Sequence, residues 1–225
     1  MRVILSEFLK DTNAVEVLDV GCSIGYDCFA LAMEKECNVL GIDVDKTSIQ
    51  LANNIKQVLD CKNTEFQLAD IMTGGVEGKQ FDVVILFEVL EHIKNDEKAL
   101  REVLKRLKPN GLLLLSVPYS EKTEEFDDPK AAFELKENAE VEGEFVGGYH
   151  WREGYNEKSL ATLLDNGGFK LSEFKVVRIP KTIFKHNQNV FAFPLLYPLS
   201  RLLSPFSRNN EGLVVKAVKV PNELT

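Results

Sequence analysis

Apolar residues in this chain fall in short runs separated by amphipathic stretches, and the two patterns alternate. Val15–Val20 (VEVLDV), Val39–Ile42, Thr64–Leu68, Phe81–Phe87 (FDVVILF) and Leu112–Val117 are short enough, and rich enough in Val, Ile, Leu and Phe, to predict strands. Phe81–Phe87 is nearly continuous in apolar residues, as a strand covered on both faces should be. Between these runs the spacing of apolar positions changes to a helical one, over Tyr26–Glu36, Ser48–Leu59 and Asp96–Leu107. Asp45, Thr47 or Ser48 can cap the second helix, and Pro109-Asn110-Gly111 stops the third. Strands alternating with helices at this pitch predict βαβ units, an α/β fold and a parallel sheet with right-handed crossovers.

The rhythm breaks after Pro118. Glu121–Glu144 carries ten acidic residues against three lysines, so residues 119–150 read as an acidic, solvated insertion. Glu157–Asn166 resumes a helical pattern and is closed by Gly167-Gly168. Phe169–Ile179 reads as a long strand, and Leu213–Val220 (LVVKAVKV) as a closing strand, expected antiparallel. Residues 180–210 are rich in Phe, Leu and Pro. From Phe174 to Asn210 there are six Lys or Arg and no Asp or Glu, in a chain whose net charge is −8. No internal repeat or low-complexity tract is present, and 225 residues suit a single domain.

The negative charge argues against a general binder of nucleic acid. The cysteines, at 22, 28, 37 and 61, form no CxxC pair, so neither a disulfide framework nor a zinc knuckle is expected, and buried free thiols are. Met1–Lys10 is too short and polar for a signal peptide. No apolar run is long enough to span a bilayer, and the expected location is cytoplasmic. Val190–Phe206, interrupted by three prolines and Arg201, is a candidate substrate cap, subunit contact or peripheral membrane contact, with core packing as the default.

Chemistry concentrates first at Asp19-Val20-Gly21-Cys22-Ser23-Ile24-Gly25-Tyr26, a turn after a predicted strand. Dinucleotide binding asks for GxGxxG. With Gly21 first, Ser23 and Tyr26 occupy the other two glycine positions, so that reading fails. Gly21-Cys22-Ser23-Ile24-Gly25 literally matches the GxSxG nucleophile elbow. An elbow, however, normally follows several strands and an oxyanion-hole loop, and no HGGG-like segment occurs.

A third reading comes from several motifs in order. VLDVGCSIGYD, GIDVD, LADI, FDVVILFEVLEHI and LKPNGLLLLSVP resemble successive motifs of the class I S-adenosylmethionine-dependent methyltransferases, with Ser23 where that family often has Gly. The resemblance covers Val15–Pro118, about half the chain. It implies a Rossmann-like three-layer sandwich with a seven-stranded, mostly parallel sheet. It also implies roles for residues. Gly21, Cys22, Ser23 and Gly25 would hold the methionine part, with Asp19 among the acidic residues around the site. Asp43, with Val44 beside it, would take the ribose, and Asp70 and Ile71 the adenine. Phe87 and Glu88 would close the pocket near sulfur. A ring of carboxylates suits a cationic sulfonium. With a short lead before the first strand, the substrate cover is expected to be reduced or to be supplied by Glu121–Glu144 and Pro180–Asn210.

Glu88-Val89-Leu90-Glu91-His92 follows the fourth strand. If this turn is helical, Glu88, Glu91 and His92 share a face and form half of a divalent-metal site, magnesium or manganese, with His150 as a candidate fourth ligand. The ExxEH pattern also resembles metal-using ubiquinone-pathway and small-RNA methyltransferases. The plainer reading has Glu91 and His92 capping a helix or lining the substrate mouth. His92 is also the candidate general base, with His150 as the second candidate catalytic residue. Tyr149-His150-Trp151-Arg152 either reaches substrate or is a packing cluster. The expected activity is methyl transfer to a small-molecule or glycan- or lipid-linked acceptor; the alternative is a non-catalytic cofactor-binding or assembly protein on the same fold.

Overall fold

The structure, a computed structural model, describes residues 16–34, 36–131, 149–178 and 211–219. Seven strands form one sheet in the order β3-β2-β1-β4-β5-β9-β8: β1 (Glu16–Val20), β2 (Asn38–Asp43), β3 (Thr64–Leu68), β4 (Phe81–Phe87), β5 (Leu107–Pro118), β8 (Phe169–Arg178) and β9 (Glu211–Lys219). The first five are mutually parallel, and β9 runs antiparallel between β5 and β8. Four helices connect them: α1 (Tyr26–Glu34), α2 (Lys46–Leu59), α3 (Asp96–Arg106) and α4 (Glu157–Asn166). The expected seven-stranded, mostly parallel Rossmann-like sheet is thus what the chain forms.

Strand alternation divides the interior into two cores. Leu18 and Val20 of β1, Val84 and Leu86 of β4 and Leu113 and Leu115 of β5 pack with Leu100 and Val103 of α3 and Leu160 and Leu164 of α4. Val17, Val83, Ile85 and Leu114 pack on the other side with Cys28 and Leu31 of α1 and Ile49 of α2. Because the inner strands serve both cores, they are largely apolar, β4 most nearly so, which is why these strands were visible as runs. The four cysteines are buried and unbridged.

Helix ends are set by local chemistry. Of the three candidate caps, Asp45 is the one used: its carboxylate accepts the Thr47 and Ser48 N–H groups, so α2 begins at Lys46, two residues before the sequence placed it. Asn156 and Ser159 form a reciprocal capping box at α4. Pro109-Asn110-Gly111 does not end α3. That helix stops at Arg106 and runs directly into β5, and the Pro-Asn-Gly segment is an irregularity inside the strand, where Asn110 has φ 61° and register slips between Phe81 and Val83.

The acidic tract is also more ordered at its ends than its composition predicts. β6 (Glu125–Ala131) pairs antiparallel with β7 (Tyr149–Arg152) as a separate ribbon. A ladder uses backbone groups, so a high density of carboxylates does not forbid it. The rest of the insertion, 132–148, lies outside the described residues, as does the apolar and basic segment 180–210 with its 190–206 stretch. Among the described residues no helix is long and apolar enough to cross a membrane.

Leu18, fully buried in a strand flanked by β2 and β4, tests this core. Leu18→Ala is expected to cost about 2–5 kcal/mol in urea unfolding with an unchanged slope. Val58→Ala, at a side chain 86% exposed on α2, should stay within about 0.5 kcal/mol of wild type.

Candidate active site

The C-terminal ends of β1, β2 and β4 lie side by side, the edge of a parallel sheet at which open α/β folds bind ligands. After β1 the chain turns through residues with positive φ: Gly21 at 74°, Ser23 at 49° and Gly25 at 85°. A side chain at Gly21 would place its Cβ 2.4 Å from the Val89 methyl, and at Gly25 2.5 Å from the Phe66 ring. Both glycines therefore answer to backbone conformation and to close packing. The turn is hooked onto β2 in two ways. Gly21 and Cys22 N–H donate to the Ile42 carbonyl at 2.8 and 3.0 Å, and Ser23 N–H donates to Asp43 Oδ2 at 2.8 Å. The other Asp43 oxygen accepts the Asp45 N–H at 2.8 Å. Each oxygen keeps a lone pair for a ligand hydroxyl. Val44, next to it, holds an apolar side chain 51% exposed.

Ser23 stands in the turn in the left-handed region, its N–H held by the Asp43 carboxylate. Asp70 closes its own turn, accepting the Met72 N–H at 2.8 Å while its carbonyl accepts from Thr73 and Gly74. Ile71 beside it is buried, so what it offers a ligand is its backbone and its support of the turn. Phe87 ends β4, and Glu88 follows with φ 54°. The Ser116 hydroxyl donates to Glu88 Oε1 at 2.8 Å, and Glu88 N–H donates to the Ser116 carbonyl at 3.0 Å. Ser116 is a support the sequence reading missed. Only its register opposite Phe87 across β4 and β5 could have pointed to it.

Beneath the turn, Asp19 is buried and accepts the Cys28 thiol at 3.2 Å. Burial, with Asp27 and Asp43 nearby, pushes its carboxyl up to about 8. Burial pushes Asp27 up to about 6, and its Oδ1 has no hydrogen-bond partner.

After β4 the expected helical face is not formed. The turn after β4 is a short 3-10 helix over Leu90–His92, and Glu88 precedes it in the left-handed region. Glu88, Glu91 and His92 therefore do not form one ligand face, because the chain must reverse at Glu88 before any helix starts. The structure instead brings Glu91 and His92 together with His150 on β7. The two imidazoles meet edge to face at 4.6 Å between centroids, and ligating atoms of all three residues lie within 4.8 Å of one another. Glu91 is 1% exposed, and its Oε2 has no hydrogen-bond partner. Burial and the neighbouring Glu88 carboxyl hold Glu91 well above the usual carboxylate range. Burial and His92 lower His150 to about 4, so its ring is neutral. Further along β7, Trp151 lies under the Lys94 ammonium, 4.5 Å from the ring centroid, and Arg152 pairs with Asp96. His150, the aromatic residue and the arginine are thus set against the turn after β4.

A family model described as a methyltransferase domain matches residues 11–168. A ubiquinone biosynthesis O-methyltransferase of Rickettsia bellii is 37% identical over 113 residues, 48% of this chain and 43% of that protein. The curated relatives it matches are covered over less than half of their own lengths. Among solved structures, the N-methyltransferase NodS of Bradyrhizobium japonicum in complex with S-adenosyl-L-homocysteine superposes with a TM-score of 0.61 at 15% identity, over 97% of this chain and 85% of that one. The [4+2]-cyclase SpnF superposes with a TM-score of 0.64 at 17% identity, over 97% and 79%. At such identities the structural likeness establishes the fold alone.

Asp19 gives the site a pH signature. Its folded-state pKa lies above the unfolded value, so the stability it contributes is complete below pH 4 and is lost as pH rises towards 8. The slope is at most about 1.4 kcal/mol per pH unit. Asp19→Asn, which keeps an acceptor for the Cys28 thiol, should flatten unfolding free energy between pH 6 and 8. Asp27 shifts the same way and should leave a residual slope below pH 6. Parallel pH profiles for the two proteins would show the shift to be absent.

Proposed function

The chain belongs to the methyltransferase-domain family of the class I adenosylmethionine-dependent superfamily, and from that premise we propose that it transfers a methyl group from S-adenosylmethionine to a small-molecule acceptor, free or carried on a lipid or glycan. The observation that carries this reading is the turn after β1 hooked by Ser23 N–H onto the Asp43 carboxylate. The residues fit the donor. Asp43 keeps lone pairs for ribose hydroxyls, Val44 offers an apolar face, and the exposed backbone of Gly21 and Ser23 is open to the amino-acid part. Bound there, the donor supplies a methyl group on cationic sulfur. The Asp43 carboxylate, at the mouth of the turn, puts negative charge near where that cation would sit.

The acceptor side is proposed at Glu91, His92 and His150. A divalent cation is the reading favoured by the orphaned Glu91 oxygen, since a buried carboxylate oxygen without a partner is costly unless something charged completes it. With Glu88 outside the group, the donors are two imidazoles and one carboxylate, which suits manganese better than magnesium. Such an ion would polarise an acceptor oxygen. Without an ion, His92 is the group placed to take the acceptor proton. A fold shared with a cyclase keeps a role without methyl transfer as the alternative. Adenosylmethionine binding with no transfer across a panel of hydroxyl and amine acceptors would favour it.

Calorimetry should show S-adenosylmethionine and S-adenosylhomocysteine binding and no binding of NAD. Asp43→Ala should weaken the first by about 1.5–3 kcal/mol, the scale of hydrogen bonds to a charged group. An unchanged affinity would remove Asp43 from the site. Manganese titration should show one site, weakened at least about tenfold by Glu91→Ala and by His150→Ala, with adenosylmethionine affinity unchanged. Full methyl transfer in excess chelator would end the metal reading and leave the donor site standing.

A further inference from the structure

The His92–His150 pair joins two parts of the chain with different support. His92 sits on the turn from β4, inside the main sheet's connections. His150 sits on β7, whose strand partner among the described residues is β6. A two-stranded ribbon is marginal on its own, so something else must fix where His150 stands.

Arg152 is two residues beyond His150 and therefore on the same side of β7. Its Nη2 lies 2.9 Å from Asp96 Oδ2 and 3.7 Å from Glu125 Oε2 of β6. Asp96, in turn, is held from three sides. Its Oδ2 also accepts the Tyr155 hydroxyl at 3.1 Å, its Oδ1 accepts the Glu97 N–H at 2.8 Å, and it opens α3 directly after the Asn95 cap. Tyr155, 1% exposed, is tied to the end of β5: its N–H donates to the Pro118 carbonyl at 2.9 Å, and its carbonyl accepts the Ser120 N–H at 3.0 Å. The guanidinium lies 5.1 Å from the Tyr155 ring centre. Arg152 thus reaches the sheet through Asp96 and Tyr155, and the ribbon through Glu125.

We infer that Arg152 is a positioning residue for the acceptor side, its ion pair with Asp96, braced by the Tyr155 hydroxyl, setting β7 so that His150 meets His92. The inference rests on the acceptor-side reading of those two histidines. Two rungs, His150 on His92 and Arg152 on Asp96, repeat along facing segments, and a one-residue slip of β7 would break both together. A lysine keeps the charge but loses the guanidinium that lies beside the Tyr155 ring.

The chain has three histidines, so its imidazole proton spectrum is simple, and His→Gln variants at 92, 150 and 186 assign it. Arg152→Met and Asp96→Asn should each displace the His92 and His150 resonances together, and the double variant should match the singles instead of adding to them. Arg152→Lys, the gentler change if Arg152→Met fails to fold, should give an intermediate displacement. Adenosylmethionine affinity should hold in every variant while kcat for methyl transfer falls. Resonances unmoved in folded Arg152→Met or Arg152→Lys overturn the inference whatever the rate does. Displaced resonances with a wild-type kcat uphold the latch and instead remove the two histidines from the acceptor side.

Discussion

One hydrogen bond organises the turn after β1, where the donor site is proposed. Ser23 N–H donates to Asp43, so the loop leaving β1 and the end of β2 share a single carboxylate. This is feasible because the strands are parallel neighbours in register, Val20 opposite Ile42, and their ends arrive at one level. The backbone must take left-handed conformations at Gly21, Ser23 and Gly25 to bring the amide there, and Val89 and Phe66 fill the space that side chains would need. Everything proposed for the donor follows from that arrangement: open lone pairs on a fixed carboxylate, an exposed apolar neighbour, and accessible backbone above a buried acid.

The Glu91–His92–His150 cluster, proposed as the acceptor side, is built differently. Its residues come from two segments far apart in the chain, and contacts between side chains bring them together. Glu91 is buried with an incomplete hydrogen-bond complement, and His150 is held neutral by its surroundings. Such a cluster carries cost in an isolated fold, which is the ordinary signature of a site shaped for something other than stability.

What the sequence revealed follows from what each feature depends on. The inner strands were legible because two-sided burial leaves a nearly continuous apolar run, as in Phe81–Phe87, and α4 because its helical spacing and glycine stop are local signals. The turn and Asp43 were legible through two contiguous motifs, VLDVGCSIGYD and GIDVD, although the contact that joins them spans 20 residues. The direct passage from α3 into β5 was not, because Pro-Asn-Gly reads as a stop when the partner strand that absorbs the irregularity is unseen. Nor was the exclusion of Glu88 from the ligand group, which depends on one left-handed residue. β6 was hidden by its carboxylates. The Asp96–Arg152–Tyr155 network was invisible because Asp96 looks like any acid in the first turn of a helix until β7 is laid against it.

The position of β9 bears on how the chain reaches this state. It is the latest strand of the sheet to leave the ribosome, yet it lies inside the sheet, between β5 and β8. Until it is made, β5 presents Leu113, Leu114, Leu115 and Val117 along an unpaired parallel edge, and β8 has no neighbour in the sheet to join. An exposed apolar edge of that kind is a template for pairing with other chains. The nascent protein therefore carries this apolar edge from the completion of β5 until β9 is made, and closing it requires one of the longest-range pairings among the described strands.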